Sequence, residues 1–136
     1  MHLSISCGYS PGCIGRIVQL HAAYYQPLVG FGLPFESRVA RELSAFCERY
    51  DPTEDGLWLC MDADTHTVHG AIAIDGTDAL ARGAHLRWFI TSDTARGHGL
   101  GARLAVPWPA CSPRAARLPM RSTCCEGRHA PLPERC

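Results

Sequence analysis

The apolar run Leu86-Arg87-Trp88-Phe89-Ile90, followed by Arg96-Gly97-His98-Gly99-Leu100-Gly101, constrains this chain more than any other stretch. It reads as a strand, a glycine loop and the start of a helix. Glycines at such a junction let backbone N–H groups turn outward and converge on an anion, and the new helix adds the positive end of its dipole. The segment has the make-up of a phosphate cradle, and the rest of the chain must supply a sheet and helices around it.

Those elements can be read from periodicity. Ile14, Ile17, Val18, His21, Tyr25 and Leu28 recur at helical spacing, which predicts an amphipathic helix from near Gly15 to Gln26-Pro27. A Gly/Pro-rich connection over residues 29–34 leads to a second helix, marked by Phe35, Val39, Leu43, Phe46, Cys47 and Tyr50 and closed by Asp51-Pro52. Glu36 in its first turn and Arg49 in its last agree with the helix dipole. Leu57-Trp58-Leu59-Cys60-Met61 is a short apolar strand, residues 68–74 form a second after the polar turn at 62–67, and residues 85–90 form a third. Another turn signal, Asp75-Gly76-Thr77-Asp78, and a loop separate the last two. The predicted order is helix, helix, strand, strand, strand, glycine loop, helix. An antiparallel meander feeding a phosphate-binding helix is an α/β arrangement unlike a parallel dinucleotide-binding sheet.

At 136 residues the chain has room for one hydrophobic core. All thirteen basic residues are arginine and they balance thirteen acids, so nothing in the charge points to nucleic acid or to an acidic membrane surface. No apolar run approaches the roughly 20 residues of a membrane span. Residues 1–8 carry neither a basic region nor an apolar signal core, so the expected location is the cytoplasm. Cys7, Cys13, Cys47 and Cys60 lie in or beside apolar segments, and no Cys-x-x-Cys pair exists. They read as reduced thiols that pack as small hydrophobes. The seven histidines are scattered, and no metal is expected.

The spacing Arg96-x-x-Gly99-x-Gly101 resembles the acetyl-CoA pyrophosphate loop of the GNAT N-acetyltransferase superfamily. The same stretch fits Gly-x-Gly-x-x-Ala through Gly97, Gly99 and Ala102, a form the dinucleotide fingerprint allows, and a plain glycine turn without ligand is a third reading. The dinucleotide loop normally follows its strand directly, however, whereas residues 91–96 intervene here, and no acid stands near the expected ribose position. Ser10-Pro11-Gly12-Cys13-Ile14-Gly15 also resembles the Arg-Pro-Gly-Asp-x-Gly opening of a bacterial GNAT subgroup often fused behind a MarR-like DNA-binding domain, with Cys13 in place of the acid. His21, Tyr25, Phe31-Gly32, Phe35-Glu36, Tyr50-Asp51-Pro52 and His85-Leu86-Arg87-Trp88-Phe89 look like the same subgroup, so the resemblance covers roughly residues 11–104. No MarR-like portion is present, and the DNA-binding role is not carried over.

The resemblance implies a GNAT-like α/β fold, with a central, mostly antiparallel sheet and flanking helices. It also implies an enzyme that transfers acetyl from acetyl-CoA to a primary amine of a small molecule or peptide. Backbone groups of Phe89, Ile90 and Thr91 would align the pantetheine arm as an added strand and hold the acetyl carbonyl. The N–H groups of Gly97, His98, Gly99, Leu100, Gly101 and Ala102 would take the pyrophosphate, and Arg96 would pair with phosphate or brace the loop. On the amine side Glu36 is the candidate catalytic base, acting through water, with a dipole partner as the simpler role. His21 and Tyr25, with Tyr24, are candidates to line the acceptor pocket or to pack in the core.

After Leu104 the pattern breaks. The family would continue the phosphate helix and add a strand, a helix with the tyrosine that commonly protonates the CoA thiolate, and final strands. Here Pro107, Pro109 and Pro113 would each break that helix, and no tyrosine follows. The last 32 residues hold six of the ten prolines, four of the eight cysteines, and five arginines against two acids. The division is therefore residues 1–104, the N-terminal portion of an acetyltransferase domain, and residues 105–136, a Pro/Arg/Cys-rich tail expected to be disordered. An out-of-frame tail accounts for a switch inside an expected helix, with C-terminal strands and helix lost. An open sheet edge would invite pairing between two copies, a route to a homodimer. A noncatalytic CoA-binding or structural remnant is the alternative function, and a dinucleotide-binding oxidoreductase the third.

Overall fold

Alternation of side chains decides how the sheet is buried. In the computed structural model, which describes residues 1–105 and 120–122, Leu57 and Leu59 enter one apolar cluster while Trp58 and Cys60 enter another. Successive strand residues point to opposite faces, so the two clusters lie on either side of the sheet. The neighbouring strand repeats the split, with Ala71 and Ala73 on one side and Ile72 and Ile74 on the other. Burial on both faces is why these strands read as continuous apolar runs.

The strands are β1 (Leu3–Cys7), β2 (Gly56–Asp62), β3 (Val68–Asp75), β4 (Ala84–Thr91) and β5 (Met120–Ser122), arranged in that order. The first four pair antiparallel, and β5 lies parallel to β4. Helix α1 (Cys13–Val29) and helix α2 (Leu33–Glu48) cover the first face through Ile17, Leu43 and Phe46, each at most 1% exposed. The one-turn helix α3 (Ala79–Arg82) and helix α4 (Leu100–Ala105) contribute Ala79, Leu100 and Leu104 to the second. Arg103 of α4 donates to the Leu3 carbonyl at 3.0 Å, tying that helix to β1.

Several expectations need correction. The predicted order begins with a helix, yet Leu3-Ser4-Ile5-Ser6-Cys7 is an edge strand paired in register from Leu3↔Asp62 to Cys7↔Trp58. Its alternation is real, but five residues give a weak period-two signal. Helix α1 runs past Pro27 to Val29, because Gly30, at φ 70°, donates its N–H to Gln26 and sets the stop. Helix α2 starts earlier, with Pro34 in its first turn, and Arg49 is its cap residue instead of a last-turn residue. The segment between β3 and β4, read as a loop, contains α3.

Of the 105–136 tail, Ala105 closes the described part of α4, and Met120–Ser122 supplies β5, so one strand lies within the stretch from which C-terminal strands were expected to be lost. A run of three residues is too short to leave a periodic signal. Residues 106–119 and 123–136, where the remaining expectations for the tail fall, lie outside the described residues.

Candidate functional site

Strand β4 changes register midway. Ala71 faces Ile90 and Ala73 faces Arg87, so β4 carries one more residue than β3 across this interval. The extra residue is accommodated as a bulge, with Trp88 at φ 49°. A bulky residue in the left-handed region costs on the order of 1–3 kcal/mol and persists only where its surroundings over-determine it. Trp88 is 9% exposed and its ring centroid lies 5.4 Å from that of Phe46 in α2.

The bulge controls what the strand presents next. Pairing with β5 covers Ala84, His85 and Leu86 only, so among the described residues the outer edge of β4 has no strand partner from Arg87 onward. Phe89, Ile90 and Thr91 lie on this open stretch. Its backbone groups can take an extended ligand in the manner of an added strand.

Beyond Thr91 the chain is braced before it reaches the glycines. Ser92 donates its N–H to the His69 carbonyl at 2.7 Å, and its hydroxyl lies 3.1 Å from both His69 Nδ1 and Thr94 Oγ1. A 3-10 turn, Asp93–Ala95, follows. Arg96 pairs with Asp93 at 2.6 Å, reaches the Thr91 carbonyl at 3.4 Å, and places its guanidinium 5.1 Å from the Tyr24 ring centroid.

Gly97 and Gly99 take φ values of 88° and 67°, which glycine adopts without strain. A Cβ built on either would meet nothing within 4 Å, so the loop faces open space. The Gly99 carbonyl accepts the Arg103 N–H at 3.1 Å, making Gly99 the residue that enters α4. The first N–H groups of a helix have no intrahelical acceptor, which leaves the entry of α4 able to bind an anion beside the open β4 edge. Gly101 lies under the Phe89 ring, 3.3 Å from a would-be Cβ.

The amine-side candidates are placed differently. His21 is buried, its Nδ1 is 2.9 Å from the Ile17 carbonyl, and burial lowers its pKa despite that hydrogen bond. Its ring stacks on Tyr25, which also touches Tyr24, Phe31 and Phe35. The result is a half-buried aromatic cluster where α1 meets α2, and Tyr24 joins it to Arg96. Glu36 is exposed in the first turn of α2.

Among the described residues, no group of three or more His, Cys, Asp or Glu side chains is placed to hold a metal. No helix among them is long and apolar enough to cross a membrane. Two features of the site had no reading in the sequence. The bulge leaves no local signal, since tryptophan is a poor left-handed residue, and the Tyr24–Arg96 contact joins residues far apart in the chain.

Solved structures share this architecture. A predicted acetyltransferase from Clostridium acetobutylicum, determined with acetyl-CoA, superimposes with a TM-score of 0.66 at 11% identity, over 91% of this chain and 82% of that one. The fold is that of the GNAT acetyltransferases. A GNAT-family acetyltransferase from Staphylococcus aureus Mu50 gives a TM-score of 0.59 at 12% identity, over 76% of this chain and 62% of its own length. A transcriptional regulator from Bacillus halodurans C-125 gives 0.61 at 19% identity, over 93% and 85%. No protein-family model and no curated relative matches the sequence. The GNAT likeness thus rests on three-dimensional arrangement, and the antiparallel β1-to-β4 meander removes the parallel sheet that a dinucleotide-binding oxidoreductase would need.

Proposed function

We propose that this chain binds acetyl-CoA and transfers its acetyl group to a primary amine of a small molecule or peptide in the cytoplasm. The observation that carries the proposal is the continuity of the open β4 edge with a left-handed glycine loop and the entry of α4. One continuous stretch of backbone thereby offers strand-like pairing for an amide-bearing arm and N–H donors for a pyrophosphate. The open space at Gly97 and Gly99 fits such a ligand, because a phosphate needs close approach to backbone that side chains would block.

In this scheme Phe89, Ile90 and Thr91 orient the arm and polarise the thioester carbonyl through backbone N–H groups, stabilising the oxyanion that forms when the amine attacks. The N–H groups of residues 97 and 99–102 bind the pyrophosphate, the His98 N–H being taken by the Ala95 carbonyl at 3.4 Å, and Arg96 holds the loop that presents them. Glu36 accepts the amine proton through water, which its exposure allows. Tyr25, with neutral His21 behind it, lines the acceptor side. The C–N bond forms first, collapse of the oxyanion then breaks the C–S bond, and CoA leaves as its thiolate, which takes a proton from solvent.

One feature favours a noncatalytic CoA-binding protein instead: residues 102–136 hold no tyrosine to protonate the thiolate. Thermal shift with acetyl-CoA, run beside thiol-release kinetics with an amine panel, separates the two. Stabilisation with thiol release supports the transferase, stabilisation alone supports the binding protein, and neither overturns the proposal.

A further inference from the structure

The bulge has an anchor of its own. In a regular strand Arg87 and Trp88 would point to opposite faces, but the extra residue turns both toward α2. The Arg87 guanidinium pairs with Glu42 of α2 at 2.5 Å and with Asp75 of β3 at 3.4 Å. It also lies 4.1 Å from the centroid of the Trp88 ring. Its side chain is 21% exposed, so these contacts are largely shielded from water.

The partners are themselves held. Asp75 also pairs with Arg49 at 2.6 Å, and Arg49 reaches Asp55 at 3.2 Å. Asp55, 3% exposed, accepts the Gly76 and Asp51 N–H groups at 2.9 and 3.0 Å. Glu42, Arg49, Asp75 and Arg87 line a cleft of about 390 Å³, yet they satisfy one another across it. That mutual pairing favours a clamp over a site waiting for a charged ligand.

We infer that Arg87 is a positioning residue: by gripping Glu42, Asp75 and the face of Trp88 together, it fixes the bulge that opens the β4 edge at Phe89, Ile90 and Thr91. The consequence for acetyl-CoA rests on the function proposed above; the consequence for the bulge does not. Phe46 supplies the apolar contact that buries Trp88, and Arg87 supplies the directional one. Lysine keeps the charge but lacks the planar fork that can meet two carboxylates and stack on a ring at once.

The test uses the full chain with Arg87→Met and Arg87→Lys, reading acetyl-CoA affinity by calorimetry and amide exchange of residues 88–90 without ligand. The expected result is at least tenfold weaker binding and at least tenfold faster exchange for the Met variant, with the Lys variant between it and the parent. A role in overall stability alone would lower the melting temperature while leaving the affinity of the folded protein unchanged. Parent-like affinity and parent-like exchange in a folded Met variant overturn the inference. Should the parent itself not bind acetyl-CoA, the proposed function falls, and the exchange measurement still decides the role of Arg87. Should the Met variant not fold, Glu42→Gln, which loosens the same guanidinium, takes its place: exchange at 88–90 must rise at least threefold, and no rise overturns the inference.

Discussion

The Arg96 guanidinium sits 5.1 Å from the centroid of the Tyr24 ring, joining the glycine loop to α1 across more than seventy residues of sequence. With its ion pair to Asp93 and its contact to the Thr91 carbonyl, Arg96 closes a brace around the turn that precedes Gly97. The brace is half exposed, so its electrostatic part is screened by salt. Arg96→Ala should weaken acetyl-CoA binding by about 1 kcal/mol, the scale of a half-exposed brace, with part of the loss disappearing at high salt. An unchanged dissociation constant at low and high salt would remove Arg96 from the binding account.

Gly99 separates two ways of failing. Space around its Cβ position is open, so a substitution meets conformational strain instead of a clash. Valine resists φ 67°, whereas asparagine visits this region more readily. Gly99→Val should therefore abolish measurable binding and Gly99→Asn should retain much of it. Equal behaviour of the two in a thermal-shift titration would contradict a left-handed requirement at this position.

The extent to which the sequence disclosed this protein follows from the range of the interactions involved. Ile17, Leu43 and Phe46 are buried where their helical period places them, and β2 and β3 read as apolar runs because each is covered on both faces. The glycine loop was legible because it is a local pattern read along the chain. The bulge at Trp88 was not, because it is held by Glu42, Phe46 and Asp75 from two other elements. His21 on an apolar helix face reads first as a hydrogen-bonded core histidine, and its 2.9 Å contact to the Ile17 carbonyl commits one ring nitrogen to its own helix.

His21 gives the fold a pH dependence of definite sign. Burial lowers its pKa below the ordinary 6.5, so near and below that value the unfolded chain binds a proton that the folded chain refuses. Its contribution is thus fully present above 6.5 and is lost as pH falls toward the depressed folded value. Relative to His21→Phe, the parent should lose stability more steeply below pH 6.5, by up to about 1.4 kcal/mol per pH unit. Parallel denaturation midpoints for parent and variant through that range would refute this.

The thiols should sort by burial. Cys47 is pushed up to about 11, first by burial and then by the neighbouring Cys13, while burial also raises Cys13 and Cys60. Cys7 is exposed on the edge strand. Among the four cysteines of the described residues, alkylation at mildly alkaline pH, read by peptide mass spectrometry, should modify exposed Cys7 first, half-buried Cys47 more slowly, and buried Cys13 and Cys60 only as fast as the chain unfolds. Rapid native labelling of Cys13 would show that α1 does not pack as described.

In the proposed function acetyl-CoA lies along the backbone from the open β4 edge to the entry of α4. Hydrogen exchange of the full chain with and without saturating acetyl-CoA tests it most directly. Slowed exchange is expected in two segments, residues 89–91 and 97–102, with β1 and the first half of α2 unchanged. Absence of any slowing, or slowing confined to segments away from Phe89 and Gly99, would contradict it.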